Sequence, residues 1–182
     1  MHLSGEWILL AFIALVTAIM LLLLHLTQLG VILHQSIPDR PNRRMLLASI
    51  SFFITFLAVR LLVASIQHHI GPFQYVTMGG RHIHHLVWGI FMLLGVGYGY
   101  LYEIGSHDTP VSIFAGRLMS ILYGAAAALT LDEFALWLNL ANVYWSRQGR
   151  ESIDAVVLFG SLLAIGTWGA PLFNSISRKK NR

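Results

Sequence analysis

The chain contains no cysteine in its 182 residues. It therefore forms no disulfide bond, no thiolate metal site and no iron–sulfur cluster, and it has no cysteine nucleophile. Any metal ion would need nitrogen and oxygen ligands. The sequence also lacks the GxSxG motif of serine hydrolases, the HExxH motif of zinc proteases and the P-loop, so no standard catalytic motif names a reaction.

Charged residues are scarce, at 11% of the chain, whereas soluble proteins have about 25%. Hydrophobic residues make up 56%, and five apolar runs each reach the roughly 20 residues that cross a bilayer. The runs cover residues 7 to 33, 45 to 70, 84 to 104, 110 to 142 and 152 to 175. We therefore expect an all-α, polytopic membrane helix bundle with five transmembrane helices in a single domain, residues 1 to 182. The first run is too long for a signal peptide and lacks a basic segment before it.

The basic residues predict the orientation of this bundle. With five spans, one side of the membrane receives two basic clusters and the other side receives three scattered arginines. The clusters are Arg40, Arg43, Arg44, Arg178, Lys179, Lys180 and Arg182, and the opposite loops hold Arg81, Arg147 and Arg150. The positive-inside rule puts the N-terminus outside and the C-terminus in the cytoplasm, and we expect the protein in the bacterial inner membrane. Such clusters are topology signals rather than a nucleic-acid surface.

Asp132 and Glu133 are adjacent in the fourth apolar run. Ionisable groups at membrane depth are costly and usually functional. A rise of about 1.5 Å per residue puts Arg60 and Asp132 each about 22 Å from the cytoplasmic ends of their helices. The two charges are therefore predicted to be level, in the outer third of the membrane. In a purely structural interpretation they form a buried ion pair that fixes the register of the helices, and the histidines lie in headgroup water.

Helical spacing predicts which way these side chains face. A stripe of small and polar residues runs along the fourth helix, so Asp132 faces the protein and Glu133 is turned by about 100° from it. The stripe consists of Gly124, Ala128, Asp132, Ala135, Asn139 and Asn142. Glu151, Asp154, Leu158 and Ser161 are predicted to form a comparable face on the fifth helix.

Three histidines stand at the start of the third helix, in the string RHIHH. Imidazole and carboxylate ligands suit Zn²⁺, Fe²⁺ or Mn²⁺. The predicted metal ligands are His82, His85 and Asp132, with His84 and Asp154 as further candidates. A haem with two histidines as axial ligands is an alternative cofactor.

The remaining polar residues suggest catalytic and binding roles. Glu133, with Arg60 beside it, is predicted to be catalytic, acting as a general base on a metal-activated water. Tyr144, Arg147 and Arg150 are predicted to hold a lipid headgroup over the site, since arginine forks bind phosphate. Pairing of the two arginines with Glu151 and Asp154 is an equally good interpretation.

Three functions fit these residues. The first is a metal-dependent hydrolase that acts on a lipid or another amphiphile at the outer leaflet. The second is a proton- or cation-coupled transporter that uses Arg60, Asp132, Glu133 and the histidines. The third is a scaffold or assembly subunit, with a homo-oligomer formed through the glycine-rich third helix, where Gly95 and Gly99 make a GxxxG pair.

The strings RHIHHLVWGI, LDEFALWLNL and NVYWSRQGRESIDAVV resemble those of small, uncharacterised bacterial integral membrane proteins, and they cover about a fifth of the chain. The resemblance implies a membrane location but no activity. The histidines are also similar to the boxes of membrane di-iron hydroxylases and desaturases. This chain lacks the HxxxH motif and the repeated HxxHH motifs of those enzymes, so no catalytic residue is carried over from them.

Overall fold

A computed structural model describes residues 5–70, 77–78, 81–82, 84–140 and 152–164, with the backbone alone for 5–9, 77–78 and 81–82. The described chain is helical apart from one short hairpin. Its elements are α1 (Gly5–Leu26), α2 (Leu29–Ser36), α3 (Arg40–Gln67), β1 (Thr77–Met78), β2 (Arg81–His82), α4 (His85–Leu101), α5 (Pro110–Asp132), α6 (Phe134–Asn139) and α7 (Ser152–Ala164). The predicted all-α architecture is confirmed, and the two strands pair antiparallel.

Two of the described helices, α3 and α5, are long and apolar enough to cross a membrane. The pair α1 and α2 makes a third if it is one span, while α4 and α7 are shorter apolar helices. A membrane protein with two to three such helices follows from length and composition. The predicted count of five spans and the orientation of the termini stay predictions.

The first apolar run is interrupted, so the predicted helix over residues 7 to 33 is divided into α1 and α2. The axes of Leu10–Leu26 and of α2 differ by 79°. At the break, the Leu29 amide donates a hydrogen bond to Thr27 Oγ1 at 3.2 Å. A Cβ atom on Gly30 would overlap the Leu24 carbonyl oxygen, so this bend requires glycine at that position.

Helix α5 is the central element, because it packs against both α3 and α4. Its alanines Ala125 to Ala128 are at most 4% exposed and let the neighbouring helices approach closely. The closest approach is at Gly124, where a Cβ atom would overlap the Ala48 carbonyl oxygen of α3. On the other side, a Cβ atom on Gly89 of α4 would lie 2.9 Å from the Ala126 carbonyl oxygen.

The two glycines of the predicted GxxxG pair, Gly95 and Gly99, lie in different environments. Gly99 is buried, and a Cβ atom there would overlap the Met119 side chain of α5. Among the described residues, no atom lies within 4 Å of such a position on Gly95 or Gly97. One glycine of the pair therefore serves packing inside the chain, and the predicted homo-oligomer stays a prediction.

We expect Gly124→Ala to destabilise the protein strongly and Gly97→Ala to leave its stability nearly unchanged. At Gly124 the added methyl group meets the backbone of Ala48, which cannot move aside, and overpacking of this kind costs at least about 1–3 kcal/mol. The same methyl group on Gly97 meets open space. Thermal unfolding of the two purified variants checks this, and equal melting temperatures would contradict the close approach of α3 and α5.

Candidate functional site

The candidate site is built on a helix interruption. Helix α5 ends at Asp132, Glu133 adopts φ −107° and ψ 23°, and α6 begins at Phe134. The predicted single helix over residues 110 to 142 is therefore wrong. Asp132 is fully buried and Glu133 is only 4% exposed, so both carboxylates need partners inside the protein.

Asp132 contacts α3 and α4 at once. Its Oδ1 atom forms an ion pair with Arg60 Nε, and the Arg60 guanidinium lies 3.4 Å from the Asp132 carbonyl oxygen. Its Oδ2 atom lies 3.1 Å from His85 Nε2. Helix rise predicted that Arg60 and Asp132 lie at one level, and they do; their ion pair is the one that the structural interpretation of the sequence contains. Asp132 faces the protein, as its place on the small-residue stripe predicts.

Glu133 binds the start of α4. Its Oε1 atom lies 2.7 Å from His84 Nδ1, and its Oε2 atom accepts a hydrogen bond from the Leu86 amide at 2.9 Å. This amide belongs to the first turn of α4, where N–H groups have no partner within the helix and a carboxylate is favourable. His84 reaches Glu133 because it is the extended residue just before α4, with φ −78° and ψ 143°.

His85 lies between the two carboxylates. Its Nε2 faces Asp132 at 3.1 Å and its Nδ1 faces Glu133 Oε2 at 3.5 Å. A neutral imidazole has one N–H, whereas an imidazolium has two. Both contacts therefore carry a hydrogen only when an extra proton is bound. We call Arg60, His84, His85, Asp132 and Glu133 the His–carboxylate network.

His84 lies outside α4, at its N-terminal boundary. Its Nδ1 atom lies 2.7 Å from Glu133 Oε1, so the network extends to this boundary.

The other predicted ligands are not joined to the network by any described contact. Asp154 is exposed on α7. The predicted face of α7 is wrong, because Leu158 and Ser161 are exposed as well, and the buried residues there are Ser152, Val156, Gly160 and Leu163. His82 lies in β2 opposite Thr77, with its backbone alone described. Tyr144, Arg147, Arg150 and Glu151 lie outside the described residues.

Within the described ranges, no group of three or more His, Asp and Glu side chains is arranged to hold a metal ion. Both ring nitrogens of His85 face carboxylates, and the carboxylates are engaged by Arg60, His84 and the Leu86 amide. The predicted metal and haem sites stay predictions.

Ser152 is a site residue that the sequence analysis missed. Its side chain is 1% exposed, and its Oγ accepts a hydrogen bond from the Ala135 amide at 2.9 Å. The interruption at Glu133 takes away the hydrogen bond that this amide would make within a continuous helix. Ser152 replaces that bond and so stabilises the break that brings Glu133 to α4. The serine at the start of an apolar run is a typical helix-start signal, but nothing in the sequence pairs it with α6.

Comparison with protein-family models, with curated proteins and with solved structures finds no match to this chain. The fold and the geometry of the network therefore carry the functional argument.

Proposed function

We propose that this chain is a five-helix protein of the bacterial inner membrane that couples transport of a solute or cation to proton binding at the His–carboxylate network. The observation that carries the proposal is the position of His85 between two buried carboxylates. In the proposed orientation, with the N-terminus outside, the network lies in the outer third of the membrane.

The charge of the network supports a role for one proton. Two ionised carboxylates and one guanidinium leave a formal charge of −1 when both histidines are neutral. One bound proton makes the set neutral. A net charge in a low-dielectric interior is costly, so the loss of that proton favours a rearrangement or the entry of a cation. This is the coupling that a transporter needs.

Buried hydroxyl groups lie on α3 and α5 between the network and the opposite end of the bundle. Thr55 and Ser51 on α3, and Thr130 and Ser120 on α5, are all at most 5% exposed. Ser120 Oγ lies 3.3 Å from the hydroxyl of Tyr100 on α4. Ser51 donates to the Ile121 carbonyl oxygen, Ser120 to Gly116 and Thr130 to Ala126. Polar atoms are therefore present along the surface of α5 that faces its neighbours.

The metal-dependent hydrolase is the second candidate. It is favoured by the close approach of His84 and His85 to the two carboxylates, because these donor types suit divalent transition metals. In that case Glu133 and Arg60 are the proposed catalytic residues. A lipid or another amphiphile is the proposed substrate, because the proposed depth of the site is that of the outer leaflet.

A pH-step experiment tests the transporter. We expect the wild-type protein, reconstituted on a solid-supported membrane, to give a transient current after a pH step even without solute, because the proton enters a site inside the membrane. A panel of solutes then tests coupling. The absence of any charge displacement, together with stoichiometric metal in protein purified without chelator, would contradict the transporter and favour the hydrolase.

A further inference from the structure

A second polar cluster lines a cavity at the other end of α3 from Arg60. The cavity has a volume of about 50 Å³ and is partly open. Four arginines and a histidine line it, with one carboxylate among its lining residues. We call this set the arginine cavity: Arg40, Arg43, Arg44, Arg117, His34 and Asp108.

The positive charge of the cavity exceeds its negative charge. Arg40 pairs with Asp108. In the described part of the chain, the other three arginines donate only to backbone carbonyl oxygens. Arg43 donates to Ile37 and Pro38 at 2.7 and 2.6 Å, Arg44 to Gly105 at 2.5 Å, and Arg117 to Leu24 at 3.3 Å. Carbonyl oxygens carry no net charge, so the described hydrogen bonds of these three guanidinium groups neutralise none of their charge. Asp108 and Asp39 lie near enough to act on Arg43, but two carboxylates do not balance four arginines.

The local backbone holds these guanidinium groups in place. The Arg44 guanidinium lies 5.4 Å from the centre of the Tyr100 ring. A Cβ atom on Gly116 would lie 3.3 Å from Arg44 Nη2, and one on Gly30 would lie 3.3 Å from Arg117 Nη2. The glycines therefore leave room for both groups. Each guanidinium has five N–H donors, and the described bonds use only one or two of them.

The chemistry of the cavity selects its ligand. One water needs about 10–15 Å³, so about 50 Å³ suits a group of four or five heavy atoms. Arginine forks match the paired oxygens of phosphate. We propose that the arginine cavity binds a phosphate group, supplied by an anionic phospholipid or by a soluble phosphate. The cavity lies at the start of a helix that can cross a membrane, which gives it access to both sources.

The test uses the full chain and two probes. Inorganic phosphate is added to protein in neutral detergent, and nanodiscs of phosphatidylcholine are compared with nanodiscs that also contain phosphatidylglycerol. Melting temperature and native mass spectrometry report binding. We expect Arg117→Gln to weaken binding of the effective probe by about tenfold or more, because a hydrogen bond to a charged group is lost. Lys179→Gln removes the same charge from the basic cluster at residues 178 to 182 of the sequence and is the control.

The outcomes separate the sources and can overturn the proposal. Stabilisation by inorganic phosphate identifies a soluble ligand, and stabilisation or retained lipid with phosphatidylglycerol alone identifies a headgroup. If Arg117→Gln does not fold, Arg43→Gln takes its place, since the described hydrogen bonds of that side chain also go to backbone carbonyl oxygens. Binding of neither probe, or an equal loss with Lys179→Gln, overturns the proposal.

Discussion

Arg60→Met is expected to lower the free energy of unfolding by about 3 to 5 kcal/mol, because it leaves the buried carboxylate of Asp132 without its cation. His85 remains beside Asp132, which favours the lower part of that range. The double variant Arg60→Met with Asp132→Asn has no charge at either position. It should therefore be clearly more stable than the sum of the two single changes predicts.

The ion pair of Arg40 and Asp108 is the matched control for this double-mutant cycle of Arg60 and Asp132. Asp108 is 90% exposed, and exposed pairs contribute less than about 1 kcal/mol. The corresponding variants Arg40→Met and Asp108→Asn should give a small coupling energy. Reversible unfolding in mixed micelles measures both cycles. Simple additivity for Arg60 and Asp132 would show that the two side chains do not stabilise each other.

The contact between Arg60 and Asp132 could be anticipated because it depends on how far each residue lies along its helix, which can be counted in the sequence. Helix rise alone puts Arg60 and Asp132 at one level, and spacing along the fourth run turns Asp132 towards the protein. The stripe ends earlier than predicted, because Ala135 is buried whereas Asn139 is exposed. Periodicity persists only as long as the helix does.

The helix interruptions could not be predicted, because no proline marks them. The residues after Glu133 are Phe, Ala, Leu and Trp, which continue an apolar helical pattern. Ser152, which follows both carboxylates by a long stretch of sequence, stabilises the break through the Ala135 amide. The position of Glu133 is thus a tertiary effect, and so is its bond to His84. The bend before α2 likewise depends on the fit of Gly30 against Leu24.

Glu133→Gln and His85→Gln should each abolish the charge displacement that a pH step produces in the wild-type protein. Glutamine keeps the approximate shape and polarity of glutamate, but its side-chain amide does not bind a proton at the pH values of the step. In the first variant the carboxylate that faces both His84 and His85 is lost. In the second, no imidazole remains between Asp132 and Glu133. A proton bound to the network would then lack either the negative charge of the Glu133 carboxylate or the His85 imidazole that contacts both carboxylates.

Two matched variants outside the network make this a test of the site rather than of charge in general. Asp154→Asn and His107→Gln remove the same kinds of group from exposed positions, so both should keep the wild-type current. Melting temperatures of all four variants establish that each is folded. If the folded Glu133→Gln and His85→Gln proteins still give the full current, the proton binds elsewhere and the network has only a structural role. If the current is lost in the two controls as well, the signal does not come from the network.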